Sequence, residues 1–299
     1  MGFKSELDLG LISEVINKEF SIDDMIDSVI SFMKTIFYII ILIFFSGMIS
    51  CSLDEDIQLK QSIKNDHRSE DEKNRDKYRN PYETLTFFGI DKKNKTLEII
   101  PGRGWYTKII GHYMKDTNNF YVATYQEPTY AVDIINKIQT EFFNYFKENQ
   151  KVFGEIKNLG IDKNFNFQNY DNYFDLILTF RNIHNFLDQG KSDNIFNSIN
   201  KSLKKGGILG VVQHRADKSL DLEFSKGYVK ESFIIDQIES HGFELVEKSN
   251  INSNAKDLKN YEKGVWTLPP RLVEGEKNKS LYLSIGESDR MTLKFKKVK

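Results

Sequence analysis

The stretch "LEIIPGRGWYT", residues 97–107, decides the fold of this chain. An apolar run that reads as a short strand breaks into Pro-Gly-Arg-Gly, and an aromatic segment with a helical pattern follows. Gly102 and Gly104 let the backbone bend and approach a ligand without a Cβ in the way. The start of the helix adds unpaired backbone N–H groups. The stretch therefore predicts either a structural turn at a strand end or a backbone cradle for a nucleotide-like ligand.

The composition sets limits on the class of protein. Apolar residues make up 39% of the 299 residues and aromatic residues 13%, so the chain can build a sizeable core. The 42 Lys and Arg residues nearly balance the 43 Asp and Glu residues, which argues against a nucleic-acid partner, because nucleic-acid-binding proteins carry a basic excess. Cys51 is the only cysteine, so neither an intramolecular disulfide nor a cysteine zinc site can form. The five histidines show no metal-binding spacing, and we predict no metal site.

Residues 1–51 read as an N-terminal extension with a processing signal. The apolar run "IFYIIILIFFSGMI" (36–49) is shorter than the ~20 residues of a membrane-spanning helix and fits the apolar region of a signal peptide. Met33 would be a normal start for such a signal, whereas residues 1–32 are acidic overall. In "GMISCS", Cys51 stands where bacterial lipoproteins carry their lipid-modified cysteine. We therefore predict a lipoprotein held at the membrane of the cell envelope; a secreted protein, an uncleaved anchor helix and a cytoplasmic protein are the alternatives.

The rest of the chain divides into a linker and a folded domain. Residues 52–79 are highly charged, lack aromatic residues before Tyr78 and predict a solvated linker. The folded domain is expected over residues 80–299. Its predicted strands are 96–100, 120–125, 155–161, 174–180, 207–214, 243–249 and 290–297. Its predicted helices are 105–114, 129–149, 192–204 and 231–242.

The order of these elements predicts the fold class. Short apolar strands separated by amphipathic helices indicate a parallel sheet that is covered by helices on both faces. Between the last two strands no helical pattern is strong enough to form a parallel crossover, so we expect an antiparallel pair at the end of the sheet. The prediction is an α/β fold with a doubly wound, Rossmann-like sheet of seven strands, as in class I methyltransferases. A plain Rossmann dehydrogenase fold is the alternative.

Several further stretches resemble a group of bacterial predicted S-adenosylmethionine-dependent methyltransferases, many of which carry export signals. Besides residues 97–107, the resemblance rests on "YRNPYETLTFFGI" (78–90), "FDLILTFRNIHNF" (174–186), "GGILGVVQHRA" (206–216), "GFELVEKSNI" (242–251), "GVWTLPPRL" (264–272) and "YLSIGESDRMTLKFKK" (282–297). It covers essentially the whole folded domain. The resemblance implies an S-adenosylmethionine-binding fold and a methyltransferase that acts on an unidentified small molecule.

The same resemblance implies a set of cofactor-binding residues. Glu98, Gly102 and Gly104 would line the methionine and ribose side of the cofactor. The position after the second strand usually holds an acid that takes the ribose hydroxyls; in this chain it holds Gln126, which can still bond a hydroxyl. Asp162 falls near the acid that contacts adenine in the family, and a loop-capping role is its alternative.

Catalytic candidates follow the fourth and fifth strands. Arg181, Asn182 and His184 come directly after the fourth strand, where the resemblance places the meeting point of methyl donor and acceptor. His184 can act as a general base, because imidazole has an unperturbed pKa of about 6.5, and Arg181 can orient an anionic group. His214, at the end of the fifth strand, is the rival base, and the preceding Gln213 stands where the family usually has an acid. Structural hydrogen bonds and ion pairs are the alternative roles, and the sequence does not rank the two histidines.

A long excursion precedes the last strand. Residues 250–288 contain Trp266, Pro269, Pro270 and Arg271, which predicts either a lid over the site or a strap over the sheet edge. The export signal and the altered ribose position favour a second functional interpretation, in which a noncatalytic cell-envelope protein keeps the fold for ligand binding. Another Rossmann-type enzyme is the third interpretation.

Overall fold

The computed structural model describes residues 22–126, 133–167, 170–217, 219 and 224–298; of residues 22–25 and 41–55 only the backbone is described. The chain divides into two compact units, Met1–Asp56 and Ile57–Lys299. In the first unit the described residues lie in helix α1 (Ile22–Ile63), which continues into the second. The side chain of Cys51 falls outside the described part, so its predicted lipidation stays a prediction. None of the helices in the described ranges combines the length and the hydropathy needed to cross a bilayer.

The second unit is built on a seven-stranded sheet in the order β3-β2-β1-β4-β5-β7-β6. The strands from β3 to β5 pair in parallel, whereas β7 runs antiparallel to both β5 and β6. The predicted doubly wound sheet with an antiparallel end is therefore confirmed. The strands are β1 (Thr96–Ile99), β2 (Phe120–Tyr125), β3 (Lys157–Ile161), β4 (Phe174–Phe180), β5 (Leu203–His214), β6 (Phe243–Ser249) and β7 (Arg290–Lys297).

Helices of the second unit connect and cover these strands. Three short helices precede β1: α2 (Glu70–Asn74), α3 (Asp76–Arg79) and α4 (Pro81–Phe88). The crossovers of the parallel strands contain α5 (Thr107–Met114), α6 (Asp133–Glu148), α7 (Gln150–Phe153), α8 (Ile183–Asp188) and α9 (Ser192–Ser202). Towards the antiparallel end lie α10 (Glu231–Glu239) and α11 (Lys279–Ile285).

The central strands are buried on both faces, which explains their almost continuously apolar sequence. Successive side chains of a strand point to opposite faces of the sheet. In β4, Ile177 packs into one core, whereas Leu176 and Leu178 pack into the core on the other face. A strand with apolar residues in both alternating sets cannot expose either face to water, so helices must cover both.

Residues 57–79 differ from the predicted linker, because they belong to the second compact unit. Arg68 is buried, and its guanidinium group bonds to the carboxylate of Asp76 and lies 4.7 Å from the ring of Trp105. Paired charges and an aromatic face make the burial of this charged segment possible. The partners that bury this segment lie elsewhere in the sequence. Its local composition therefore resembles that of a solvated chain.

Candidate functional site

A cavity of about 310 Å³ opens at the carboxyl ends of β1, β4 and β5. The order of the sheet reverses direction between β1 and β4, and ligands of open α/β sheets bind outside the strand ends at such a point. Five chain segments supply its walls: the turn after β1, the end of β4, the end of β5, the excursion before β7, and α3 with the preceding residue. The lining residues include Arg75, Arg79, Pro101, Gly102, Trp105, Arg181, Asn182, His184, His214, Trp266, Pro269, Pro270, Arg271, Glu287 and Ser288.

The turn after β1 forms one wall and is held in an unusual conformation. Ile100, Gly102 and Gly104 all have positive φ angles, of 46°, 61° and 79°. For Ile100, a β-branched residue, this conformation is an outlier that the surroundings must enforce. Asn182 contributes to this, because its Nδ2 donates to the carbonyl oxygen of Ile99 at 2.8 Å and lies 3.3 Å from that of Ile100. Asn182 thereby ties the end of β4 to the turn that follows β1.

The two glycines of the turn serve different purposes. A Cβ atom on Gly102 would meet no atom within 4 Å, so its α-carbon faces the open cavity. A Cβ atom on Gly104 would lie 2.9 Å from the ring of Phe146 and 3.0 Å from that of Phe142. Gly104 is therefore required for the close packing of the turn against α6, whereas Gly102 leaves the backbone accessible to a ligand.

Glu98 lies beneath the turn and does not line the cavity. Its side chain is buried, and its Oε2 accepts a hydrogen bond of 2.6 Å from the hydroxyl of Thr107 in the first turn of α5. Burial raises the pKa of Glu98 to about 7, although the Thr107 hydrogen bond lowers it. The carboxyl group anchors the start of α5, a role that differs from the cofactor contact that the resemblance implied for it.

His184 follows β4 and lines the cavity with a fixed hydrogen-bonding pattern. The amide Nε2 of Gln213 donates to the carbonyl oxygen of Gly227 at 2.9 Å, which sets the orientation of the amide. The same nitrogen lies 3.1 Å from Nδ1 of His184, so Nδ1 must accept and the proton of the neutral ring resides on Nε2. Burial lowers the pKa of His184 to about 4. At neutral pH His184 is thus an uncharged donor, whose buried Nε2 has no partner among the described residues.

His214 ends β5 and shares the cavity with His184; the two ring centroids lie 5.8 Å apart. Its Nδ1 lies 2.6 Å from the hydroxyl of Ser288, a group that can either donate or accept. Burial and the positive charge of Arg181 lower the pKa of His214 well below 6.5. Because the Ser288 hydroxyl can rotate, His214 can present a free Nε2 lone pair, which the geometry of His184 does not allow.

A cluster of charges that the sequence did not indicate forms the far end of the cavity. The carboxylate of Glu287 bonds to Nε of Arg75 at 2.5 Å, to Nε of Arg79 at 3.2 Å and to Nη2 of Arg290 at 2.9 Å. Burial raises the pKa of Glu287, but the guanidinium groups of Arg290, Arg79 and Arg75 outweigh it and hold the pKa below its usual range. Arg75 and Arg79 lie in the stretch that the sequence predicted to be a linker, so only the fold could reveal this cluster.

Arg181 adds a further charge between the two ends of the cavity. Its backbone has a positive φ of 65°, and its N–H donates to the carbonyl oxygen of Val212 at 2.7 Å. The guanidinium group forms no ion pair or hydrogen bond with the side chains that the structure describes. Burial lowers the pKa of Arg181 to about 10, which keeps the group charged at neutral pH.

The excursion before β7 lines the cavity. Trp266, Pro269, Pro270 and Arg271 all line the cavity, and the ring of Trp266 lies 5.7 Å from that of His184. A short 3₁₀ helix, Gly264–Thr267, holds this segment. The excursion therefore contributes one wall of the cavity.

Gln126 and Asp162 lie at the β2 and β3 side of the sheet and outside the cavity. The side chain of Gln126 rests against the backbone of Gly160. Asp162 accepts hydrogen bonds from the backbone N–H groups of Asn164 and Asn166 at 2.8 and 2.9 Å, so it caps the loop after β3. The segment 127–132 lies outside the described residues.

No family model and no curated protein matches the sequence. Among solved structures, the chain is similar to the [4+2]-cyclase SpnF, with a TM-score of 0.53 and 14% identity over 74% of this chain and 80% of that one. It is also similar to phosphoethanolamine N-methyltransferase 2 of Haemonchus contortus, solved with phosphomonomethylethanolamine and S-adenosylhomocysteine. That match has a TM-score of 0.50 and 16% identity over 74% of this chain and 53% of that one. The fold is that of class I methyltransferases. At these identities, the similarity establishes the fold and leaves the activity open.

The buried carboxyl group of Glu98 predicts a pH-dependent stability. Its folded-state pKa of about 7 exceeds the ordinary value of 4.5, so between these pH values the folded state binds more protons and the free energy of unfolding falls as pH rises. Above pH 7 the loss amounts to about 3 kcal/mol. In Glu98→Gln, whose amide oxygen can still accept from Thr107, this loss disappears.

We expect the Glu98→Gln variant to gain stability relative to wild type between pH 5 and pH 8 in urea unfolding. Glu141→Gln is the matched control, because Glu141 is an exposed carboxylate in an ion pair with Arg103. An equal pH dependence in wild type and Glu98→Gln would contradict the assignment.

The tautomer of His184 gives a second prediction. Long-range ¹H–¹⁵N NMR at pH 7 should show the His184 proton on Nε2. In Gln213→Glu a carboxylate replaces the amide donor, so the proton should move to Nδ1 and the pKa of His184 should rise. His241, which bonds to Gln237, serves as the internal control. A proton on Nδ1 in the wild-type protein would show that the Gln213 amide does not set the tautomer.

Proposed function

We propose that this chain binds S-adenosylmethionine and transfers its methyl group to a small-molecule acceptor. The observation that carries the proposal is Gly102, whose α-carbon faces an open cavity at the reversal point of a class I methyltransferase sheet. Polar side chains after β4 and β5 line the same cavity. The methyltransferase among the structural neighbours supports the cofactor, since it was solved with S-adenosylhomocysteine.

The residues present fit such a cofactor on the β1 and β4 side. A side chain at Gly102 would enter the cavity, so the turn offers the close backbone approach that a nucleoside ligand needs. The guanidinium group of Arg181, which bonds to no side chain in the described ranges, can take a carboxylate. On the β2 side, Gln126 could hold a ribose hydroxyl by a hydrogen bond, whereas the carboxylate of Asp162 already caps its own loop.

The bound cofactor would supply an electrophilic methyl group on a sulfonium. The protein must then align the two reactants and exclude water. Trp266 and Pro270 line the cavity. Asn182 holds the end of β4 against the end of β1 through its hydrogen bond to Ile99. His184 would donate a hydrogen bond from Nε2 to an acceptor oxygen. His214, with its free Nε2, is the side chain that can receive a proton if the acceptor must lose one.

The two glycines of the turn allow a matched test of cofactor binding. Gly102→Ala places a methyl group in the cavity, so we expect it to weaken the binding of S-adenosylmethionine strongly in isothermal titration, at a cost of about 1 kcal/mol in stability for the positive φ. Gly104→Ala presses on Phe142 and Phe146, so it should lower the melting temperature more.

This comparison uses a purified protein that begins near residue 54. If wild type shows no binding, the noncatalytic interpretation replaces the methyltransferase. If Gly102→Ala binds as tightly as wild type, the cradle assignment is wrong, whatever the outcome for Gly104→Ala.

We also propose that Cys51 carries a lipid that holds the protein at the cell-envelope membrane. The apolar run at 36–49 and the sequence "GMISCS" support this proposal. The sequence also places the cysteine shortly before the compact unit that begins at Ile57.

In a bacterial host, Cys51→Ala should lose palmitate labelling and leave the membrane fraction or keep an uncleaved signal. Ser50→Ala is the matched control and should behave as wild type. Equal labelling of Cys51→Ala and wild type would exclude Cys51 as the modified residue.

A further inference from the structure

The end of the cavity that lies next to β7 holds more positive charge than its own carboxylate can balance. Arg75, Arg79 and Arg290 all bond to Glu287. Burial lowers the pKa of Arg79, and the nearby positive charge of Arg181 lowers it further. Three guanidinium groups therefore bond to one carboxylate, and Arg181 adds a fourth positive charge near it. A cluster that only held the fold together would be expected to pair its buried charges.

Two of these guanidinium groups also keep unused hydrogen-bond donors. Nη2 of Arg75 and Nη2 of Arg79 are buried and have no hydrogen-bond partner among the described residues. The side chain of Arg79 is only 1% exposed, its Nε is bonded to Glu287, and its guanidinium group lies 4.6 Å from the ring of Trp105. It is thus fixed in place with one donor unpaired at the cavity wall. An unmade hydrogen bond of a buried charged group is costly, so its retention points to a ligand.

Glu287 and Arg290 place the centre of the cluster on the β7 side of the sheet, whereas Arg79 also packs on Trp105, three residues after Gly102. Arg290 begins β7 and pairs in register with His214 at the end of β5. Three strand spacings lie between β1 and β7, which amounts to about 14 Å. A cofactor bound against Gly102 would lie on the β1 and β4 side, and the reactant that meets it would extend towards Glu287 on the β7 side. His214, at the end of β5, lies between these two sides of the sheet.

We propose that Arg75 and Arg79 form a site for an anionic group, a carboxylate or a phosphate, of the methyl acceptor. The acceptor part of this inference rests on the proposed function, whereas the anion site stands on the unpaired guanidinium donors alone. Arg181 and Arg271, which also line the cavity, increase the positive potential along the path of entry. A bound anion would also offset the positive charge that lowers the pKa of His214 and make that ring a better proton acceptor.

The test uses the wild-type protein and two simple anions. Isothermal titration with inorganic phosphate and, separately, with succinate in a low-salt buffer should show saturable binding of one or both. The relative affinity of the two probes distinguishes a phosphate from a carboxylate group. Arg75→Gln should weaken this binding by at least about tenfold, because it removes a charge-assisted donor. Arg75 is partly exposed and tolerates substitution better than Arg79, and circular dichroism checks that the variant is folded.

Arg103→Gln is the matched control. Arg103 lies at the rim of the same cavity, but it is exposed and pairs with Glu141. The Arg103→Gln substitution should therefore change the affinity for the two anions by less than about twofold. Absence of saturable binding to wild type, or an equal loss in both variants, would overturn the anion site.

A second titration separates this inference from the proposed function. S-adenosylmethionine should bind with the same affinity in the presence of saturating phosphate or succinate. Competition between them would assign the arginines to the cofactor and overturn the acceptor site. If the anions bind but S-adenosylmethionine does not, the anion site stands and its assignment to a methyl acceptor falls with the methyltransferase.

Discussion

The carboxylate of Glu287 connects the two ends of the compact unit, and the shape of the cavity depends on this connection. It bonds to Arg79, which lies 208 residues earlier in the chain, and to Arg290 at the start of β7. Because the carboxylate and these two guanidinium groups are almost fully buried, their attraction is strong and the loss of any one charge would leave another unpaired. Through Glu287, the helices before β1 are fixed against the last strand of the sheet. The wall of the cavity that contains Trp105 follows from this arrangement, since Arg68 and Arg79 both pack on that ring.

The same excess of positive charge determines the chemistry available in the cavity. His184 and His214 are both held neutral, mainly by burial and in part by Arg181. One ring is committed as a donor by Gln213, and the other keeps a free nitrogen beside the Ser288 hydroxyl. The cavity is thus rich in donors and poor in negative charge. Such a site suits an oxygen-rich or anionic group on the reactant that enters beside the arginines.

The neighbouring folds show why these side chains matter more than the sheet. A [4+2]-cyclase and an N-methyltransferase have sheets similar to that of this chain. One framework therefore supports different chemistry, and the residues at the strand ends and in the covering segment select among activities. In this chain those residues are a glycine turn, two neutral histidines and a cluster of arginines around one carboxylate.

The sequence by itself determined the sheet and the place of the site. The strands at 120–125 and 174–180 have the bounds that the apolar runs predicted, because a buried strand needs apolar residues on both faces and turn residues at its ends. The strands at 243–249 and 290–297 also have their predicted bounds. Gly102, Arg181 and His214 meet at one cavity, because the carboxyl ends of parallel strands lie along a single edge of the sheet.

Only the tertiary structure decided what each of these residues contacts. Gly102 and Gly104 look alike in sequence, and their roles differ because the rings of α6 approach only one of them. The tautomer of His184 depends on an amide whose orientation is set by the carbonyl oxygen of Gly227. Arg75 and Arg79 belong to a charged stretch that local composition cannot distinguish from a linker, because a charge is buried only by partners that the fold brings to it from far along the chain.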